Sequence, residues 1–204
     1  PGESGWEFWS NNGEGGFTLQ SATETVDAGE LKDIPSGELT LFFAVKSLTA
    51  VPMKVASDDD ALFPDLSSLH AERLGLRPDP MAGQLTDVFV IEREPENTAL
   101  LAVFLRTPTD ADLPPRGPKG FDISLRAFPV TGNTLAICKE FGRWVFGVFH
   151  EGKPVYAQTT ASDSFHPDES LAREIRLALI QLAMQGLSVE PSRILVWTNK
   201  QGIN

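Results

Sequence analysis

Residues 133–159 read NTLAICKEFGRWVFGVFHEGKPVYAQT, and the fold is decided here. Three runs rich in β-branched and aromatic residues, 133–141, 144–149 and 154–159, are separated by Gly142-Arg143 and by His150-Glu151-Gly152-Lys153. Such residues suit a pleated surface, and glycine accepts the positive φ of a tight hairpin, so three antiparallel strands in a meander are predicted. Downstream the apolar period changes from that of a strand to that of a helix. Asp168 stands at the cap, with Pro167 near the first turn, and Leu171, Ile175, Ala178, Leu179 and Leu182 form one apolar face. Leu177, Ile180 and Met184 widen that face, so the helix is expected to pack on two sides, and Gly186 is its natural stop. After Pro191, residues 193–198 read as a final buried strand. A right-handed crossover through the helix lays that strand parallel to the meander.

Working upstream, residues 107–120 hold four prolines (Pro108, Pro114, Pro115, Pro118), two glycines and no apolar periodicity. A subdomain boundary is placed there, giving 1–106, a hinge at 107–120, and 121–204. Residues 121–128 read as a strand leading into the meander. In the first half, 5–10 and 17–19 are strands around the turn Asn11-Asn12-Gly13-Glu14-Gly15-Gly16. Residues 24–33 hold at most one short helix, and 38–46 is a buried strand. Asp58-Asp59-Asp60 opens a helix near Asp60 that carries Leu62, Leu66, Leu69 and Arg73 and ends at Gly75, before a break at Arg77-Pro78-Asp79-Pro80. Strands at 87–92 and 98–106 follow, the second apolar enough at 99–105 to be buried on both faces. The two halves echo each other loosely, so the fold class is mixed α/β with two similar subdomains.

Composition narrows the function. The chain has 204 residues, 41% hydrophobic and 22% charged, the profile of a folded domain rather than a disordered tail or a membrane bundle. Lys and Arg number 17 against 28 Asp and Glu, a net charge of −11, which repels a phosphate backbone and excludes nucleic acid as the expected partner. The single Cys138 excludes an internal disulfide framework or a multi-cysteine metal site. Apolar runs such as 39–45 fall far short of the ~20 residues of a membrane span, and no signal peptide opens the chain. The chain begins Pro1-Gly2-Glu3 without Met, as expected of a piece of something longer, whose parent can carry an anchor elsewhere.

Three stretches carry a family likeness. Ile34-Pro35-Ser36-Gly37-Glu38-Leu39-Thr40-Leu41 leads into a strand, then Ala50-Val51-Pro52 and the acidic helix ending Leu69-His70-Ala71-Glu72-Arg73-Leu74-Gly75-Leu76. Leu135-Ala136-Ile137-Cys138-Lys139-Glu140-Phe141-Gly142-Arg143-Trp144-Val145-Phe146 has the place of a phosphate hairpin, and Leu171-Ala172-Arg173-Glu174-Ile175-Arg176-Leu177-Ala178-Leu179 the place of the helix after it. Over 34–198 the chain resembles the actin-like (ribonuclease-H-type) cytoplasmic proteins of type IV pilus and type II secretion machines. The resemblance implies two actin-like subdomains, the second with three meandering strands, a long helix and a parallel strand. Nucleotide-using members carry an Asp beside the hairpin glycine; here the hairpin reads Lys139-Glu140-Phe141-Gly142-Arg143, and no G-x-x-x-x-G-K-[ST] loop exists. The resemblance therefore implies a non-catalytic, cytoplasmic assembly platform that binds a motor ATPase or membrane partners and needs no cofactor or metal. Glu140 and Gly142 are the cofactor-binding candidates only if nucleotide binds.

Individual residues add rival readings. Trp6 and Trp9, three apart, point to opposite faces of a strand, so one of them can be exposed as a partner anchor; Arg143 at the hairpin tip is a second partner-binding candidate. Arg173 and Arg176 can also meet an acidic partner, though a solvated helix face is the default. Trp144 and Trp197 are expected in the core. Asp58-Asp59-Asp60 is better read as a helix cap than a metal site, because consecutive side chains diverge. Asp163 and Asp168 are caps, His70, His150 and His166 boundary or loop residues, and Cys138 a buried apolar group. An enzyme would gather His70 with Asp58, Asp59 or Asp60, and an actin-like ATPase would converge acids on Glu140. A small-ligand or carbohydrate-binding module would line one groove with both Trp6 and Trp9.

Overall fold

The protein was studied as a computed structural model that describes residues 1–11, 13, 16–76, 85–105 and 108–198. Its first half runs β1 (Glu7–Asn11), β2 (Phe17–Ala22), β3 (Thr40–Phe43), β4 (Leu48–Val55), α1 (Phe63–Arg73), β5 (Leu85–Arg93) and β6 (Thr98–Leu105). Its second half runs β7 (Gly120–Ile123), β8 (Thr134–Glu140), β9 (Arg143–His150), β10 (Lys153–Thr159), α2 (Glu169–Met184) and β11 (Arg193–Val196). The expected turn residues Asn12, Glu14 and Gly15, the break at Arg77-Pro78-Asp79-Pro80, Arg106 at the end of the expected strand and Thr107 at the start of the hinge lie outside the described residues.

The meander forms as read. β8, β9 and β10 pair antiparallel in sequence order, and β11 adds parallel to β8, giving the order β10-β9-β8-β11. Both turns place two residues at positive φ: Phe141 (48°) with Gly142 (79°), and Glu151 (50°) with Gly152 (80°). That backbone twist matches the twist of the strands it joins. Cross-strand pairing puts Leu135, Ile137, Phe146 and Val148 on one face, the face reached by α2 through the Gln158 to Glu174 hydrogen bond of 2.9 Å. The opposite face carries Ala136 and Gly147. A Cβ on Gly147 would stand 2.9 Å from the methyls of Leu125, so the 3₁₀ turn Ser124–Ala127 lies directly on the sheet.

A second sheet, ordered β4-β6-β5, shares this core. Along β6, Leu101 and Val103 join the core of the large sheet, while Leu100, Ala102 and Phe104 pack with Phe63 and Ala71 of α1. The expectation of a strand buried on both faces is met by a strand between two cores. A third, smaller core gathers Trp6, Ala28, Leu31, Leu41 and Phe43. It sits where β3 pairs in parallel with β7 and where the separate β1–β2 hairpin begins. Both helices end as designed by their glycines: Gly75 and Gly186 take φ of 75° and 78°, and Leu187 N–H returns to Leu182 O at 2.9 Å.

Several elements differ from expectation. β4 was not foreseen, because Pro52 sits in its middle opposite Leu101; proline is tolerated there because β4 is the edge of its sheet. The strand expected over 38–46 is confined to β3 and followed by a 3₁₀ turn, Val45–Ser47. The strand expected over 121–128 ends at Ile123, and 24–33 holds only the 3₁₀ turn Ala28–Glu30. Helix α2 packs on one side, since Leu177, Ile180 and Met184 are exposed. β11 is an edge strand whose Ile194 is 64% exposed, and Trp197 just beyond it is 39% exposed rather than core. Only Trp144 of the expected core pair is buried, with its indole N–H donating to Ser164 O at 2.9 Å.

Candidate functional site

The β1–β2 register sets Trp9 opposite Leu19 and Asn11 opposite Phe17. Cross-strand partners share a face, so the hairpin carries an apolar face of Trp9, Leu19 and Phe17. Trp9 meets the Trp197 ring at 6.0 Å, and Trp197 meets Phe128 at 5.7 Å. These rings wall a cleft of about 650 Å³ that runs beneath the hairpin to the end of β8. Pro114, Pro118 and Pro129 line it as well, so the Pro-rich segment contributes shape as well as connection. The cleft is assembled from residues as far apart in sequence as Pro1 and Thr198.

At its inner end lies Glu140, 3% exposed. One carboxylate oxygen, Oε2, accepts the Val45 N–H at 2.7 Å. Burial pushes the Glu140 carboxyl above its ordinary range, opposed in turn by hydrogen bonding from Ser124, the Pro1 ammonium, the Val45 N–H and the Lys46 charge. Ser124, 7% exposed, borders the cleft with its hydroxyl beside this carboxyl, where it favours the ionised form. Pro1 borders the same end, where burial lowers the pKa of its ammonium against the opposing pull of the Glu140 and Glu7 carboxylates; Glu3, Glu7 and Glu38 also line the cleft, Glu38 in an ion pair with Lys119 at 2.6 Å. Lys139 is the one basic side chain among the described lining residues, and its ammonium is turned onto the rings of Trp144 (4.8 Å) and Phe165 (5.5 Å).

The left-handed Phe141-Gly142 turn follows directly. Holding a non-glycine residue there costs about 1–2 kcal/mol. Here the turn is clasped: Phe141 N–H donates to Gly2 O at 2.9 Å and Gly142 N–H to Glu3 O at 2.8 Å. The Phe141 ring meets the edge of Trp6 at 5.4 Å and lies under the Lys46 ammonium at 4.1 Å. Trp6 is 8% exposed and donates its indole N–H to Val26 O at 3.2 Å, whereas Trp9, 37% exposed, donates to Glu7 Oε2 at 2.9 Å. Both indoles border the one cleft. Arg143 lies one residue beyond the turn, where its guanidinium donates to Ala161 O at 2.8 Å.

The remaining candidates are not brought together. Asp59 caps the 3₁₀ turn Asp60–Leu62 by accepting Ala61 N–H at 3.0 Å, and Asp60 pairs with Arg93. His70 sits near the other end of α1, about 10 residues and so about 15 Å along a helix axis from Asp60. His150 faces Asn133 Oδ1 at 3.1 Å, and His166 packs edge-on to Phe165. Asp168 caps α2: its Oδ1 accepts Leu171 N–H at 2.9 Å, which holds the carboxyl below its usual range, and Oδ2 accepts the Ser162 hydroxyl at 2.8 Å. Asp163 is exposed in the loop before α2. Cys138 is buried, and desolvation pushes its thiol well above the ordinary value. Among the described residues no group of three or more His, Cys, Asp or Glu side chains is placed to hold a metal ion. Among the described residues, likewise, no helix is long and apolar enough to cross a membrane. Ser124, Phe128 and Trp197 were missed as lining residues; nothing in their local sequence separates them from ordinary turn and strand positions.

No family model matches this chain, and no curated protein matches it. Among solved structures, it is similar to a chain described as "PilM-PilN type IV pilus biogenesis complex", at 14% identity and a TM-score of 0.60. The likeness covers 96% of this chain and 79% of that one, and it is a likeness of fold.

Proposed function

We propose that this chain is a non-catalytic assembly component of a pilus or secretion machine, acting in the cytoplasm and docking on a motor ATPase or a membrane partner. The observation that carries the reading is the fold shared with a pilus-biogenesis structure over 96% of the chain. Two actin-like subdomains joined at 107–120 belong to the same proposal. Its support is the core of α1 with β4, β5 and β6, whose residues all lie within 51–104. The buried Glu140 carboxyl, tied to Val45 N–H, also favours a platform over an ATPase. Trp9 and Arg143 are the side chains offered to a partner, with Trp6 buttressing the turn behind them.

The test is reconstitution with the purified motor ATPase and the soluble parts of the membrane components from the same organism, followed by size-exclusion chromatography with light scattering. Co-elution with one of them, weakened by Trp9→Ala or Arg143→Ala, is expected. Failure to co-elute with every component removes the proposal. Saturable heat from Mg-ATP, lost in Glu140→Ala, would replace it with the nucleotide-binding reading.

A second reading has its own support. A small-ligand-binding module was expected to line one groove with both N-terminal tryptophans, and Trp6 and Trp9 do border one cleft. Apolar side chains, aliphatic as well as aromatic and proline, predominate in that lining, which favours a largely apolar ligand.

A further inference from the structure

Helix α2 has a second apolar line on the side away from the sheet. Leu171, Ile175, Ala178 and Leu182 are buried against the fold, while Leu177, Ile180 and Met184 lie on the opposite side, 51, 56 and 83% exposed. With Arg173 one turn earlier they recur at spacings of four, three and four, the a and d positions of a coiled-coil seam. One exposed apolar side chain is ordinary, but three aligned along a helix mark a contact face. We propose that this seam docks an acidic amphipathic helix of a partner protein, whose apolar residues cover Leu177, Ile180 and Met184 and whose carboxylates meet Arg173 and Arg176.

Charge selects the occupant. In a chain of net charge −11, the exposed side of α2 holds two arginines and a single acid, Glu169. Neither guanidinium stands in an ion pair among the described residues. Glu174, the other acid of the helix, is spent elsewhere: its two oxygens accept Gln158 Nε2–H at 2.9 Å and Ala161 N–H at 3.1 Å. Charges at the rim of an apolar contact steer and orient a partner of opposite sign. A second copy of this chain fits worse. Antiparallel packing of two such seams sets Leu177 against Ile180, Arg173 against Met184 and Arg176 against Gln181, and parallel packing sets arginine against arginine. Neither brings an acid to the guanidiniums, and two bodies of this net charge repel. A lipid surface fits worse too. An interfacial helix presents a broad apolar face with basic residues on its polar side, whereas here Ala172, Gln181 and Ala183 flank a seam no wider than one helix.

The test titrates the full chain with two synthetic three-heptad peptides that carry Leu at a and d and either Glu or Lys at e and g, read by calorimetry and by NMR of α2. Saturable binding of the Glu peptide, at least about tenfold tighter than the Lys peptide, is expected, with shifts centred on Leu177, Ile180 and Met184. Exchanging both arginines, Arg173→Glu with Arg176→Glu, should reverse the preference. Ile180→Asp, at an exposed position that leaves the core intact, should lose both peptides, and Trp9→Ala should change neither. No saturable binding of the Glu peptide overturns the proposal, and equal binding of the two overturns its acidic partner. Binding that survives Ile180→Asp, a loss in Trp9→Ala, or a preference that the double exchange leaves as it was each put the peptide elsewhere and overturn it too. Self-association in sedimentation, or binding to phosphatidylserine vesicles, that disappears in Ile180→Asp gives the face to a second copy or to a membrane and likewise overturns it.

Discussion

Strands β6 and β2 are both antiparallel members of hairpins, and the molecule treats them in opposite ways. β6 has a strand on each side and a core on each face, and Leu100 to Val103 are fully buried. β2 has one partner, and all six of its residues are exposed, Phe17 and Leu19 included. Burial on two faces turns side-chain area into stability. A hairpin with one apolar face over a cleft contributes little to stability. Stability is thus housed in β6, and under the proposed readings partner or ligand contact falls to the hairpin, so each can be altered with little effect on the other.

The sharpest way to break this contrast is to delete buried volume from β6. Leu101→Ala is predicted to cost about 2–5 kcal/mol, measured by urea unfolding. A loss under about 1 kcal/mol would mean that the two cores collapse onto the gap and that β6 is not the keystone described. Next comes the buried acid at the cleft floor. Because the Glu140 carboxyl is raised in the folded protein, its contribution to stability is full below the ordinary carboxyl range and falls as pH rises through its folded value. The stability difference between wild type and Glu140→Gln, followed by urea unfolding from pH 4 to 8, should therefore decline with pH; a flat difference would show that the carboxyl is not shifted.

A smaller effect is expected at the end of α2. Gly186 takes φ of 78°, and a Cβ there would meet only Lys54 at ordinary contact distance, so Gly186→Ala should cost about 1 kcal/mol from backbone strain alone. Thermal unfolding would reveal it, and an unchanged midpoint would show that the helix end yields. Smallest of all is Leu19→Ala in β2, expected within about 0.5 kcal/mol of wild type. A loss as large as that of Leu101→Ala would erase the distinction between the two strands.

The parts of the fold legible in the sequence are those made by near neighbours. The meander, its two glycine turns, the Asp168 cap and the Gly186 stop are all set by residues within one or two turns of each other. Pro52 concealed β4, because local preference argues against a strand and only the edge position makes it acceptable. The β3–β7 pairing joins segments separated by one sheet and a helix, and no local signal announces it. The exposure of Leu177, Ile180 and Met184 was likewise invisible, since periodicity records which residues can be buried and not whether anything covers them. At the cleft, Glu140, Trp6 and Trp9 stood out by chemical type. Ser124, Phe128 and Trp197 did not, because their significance comes from who faces them across space.

Cys138 offers a practical use of this architecture. It is the only thiol in the chain, it is buried in β8, and it borders the cleft. A thiol reagent can reach it only when the protein opens, so the rate of its labelling is a chemical clock for that opening. If the rate climbs steeply with dilute denaturant, the whole sheet must come apart before the reagent arrives. If it hardly responds, the reagent is entering through the cleft as the β1–β2 hairpin lifts. One native atom thereby times the door separately from the house, without a second cysteine having to be engineered.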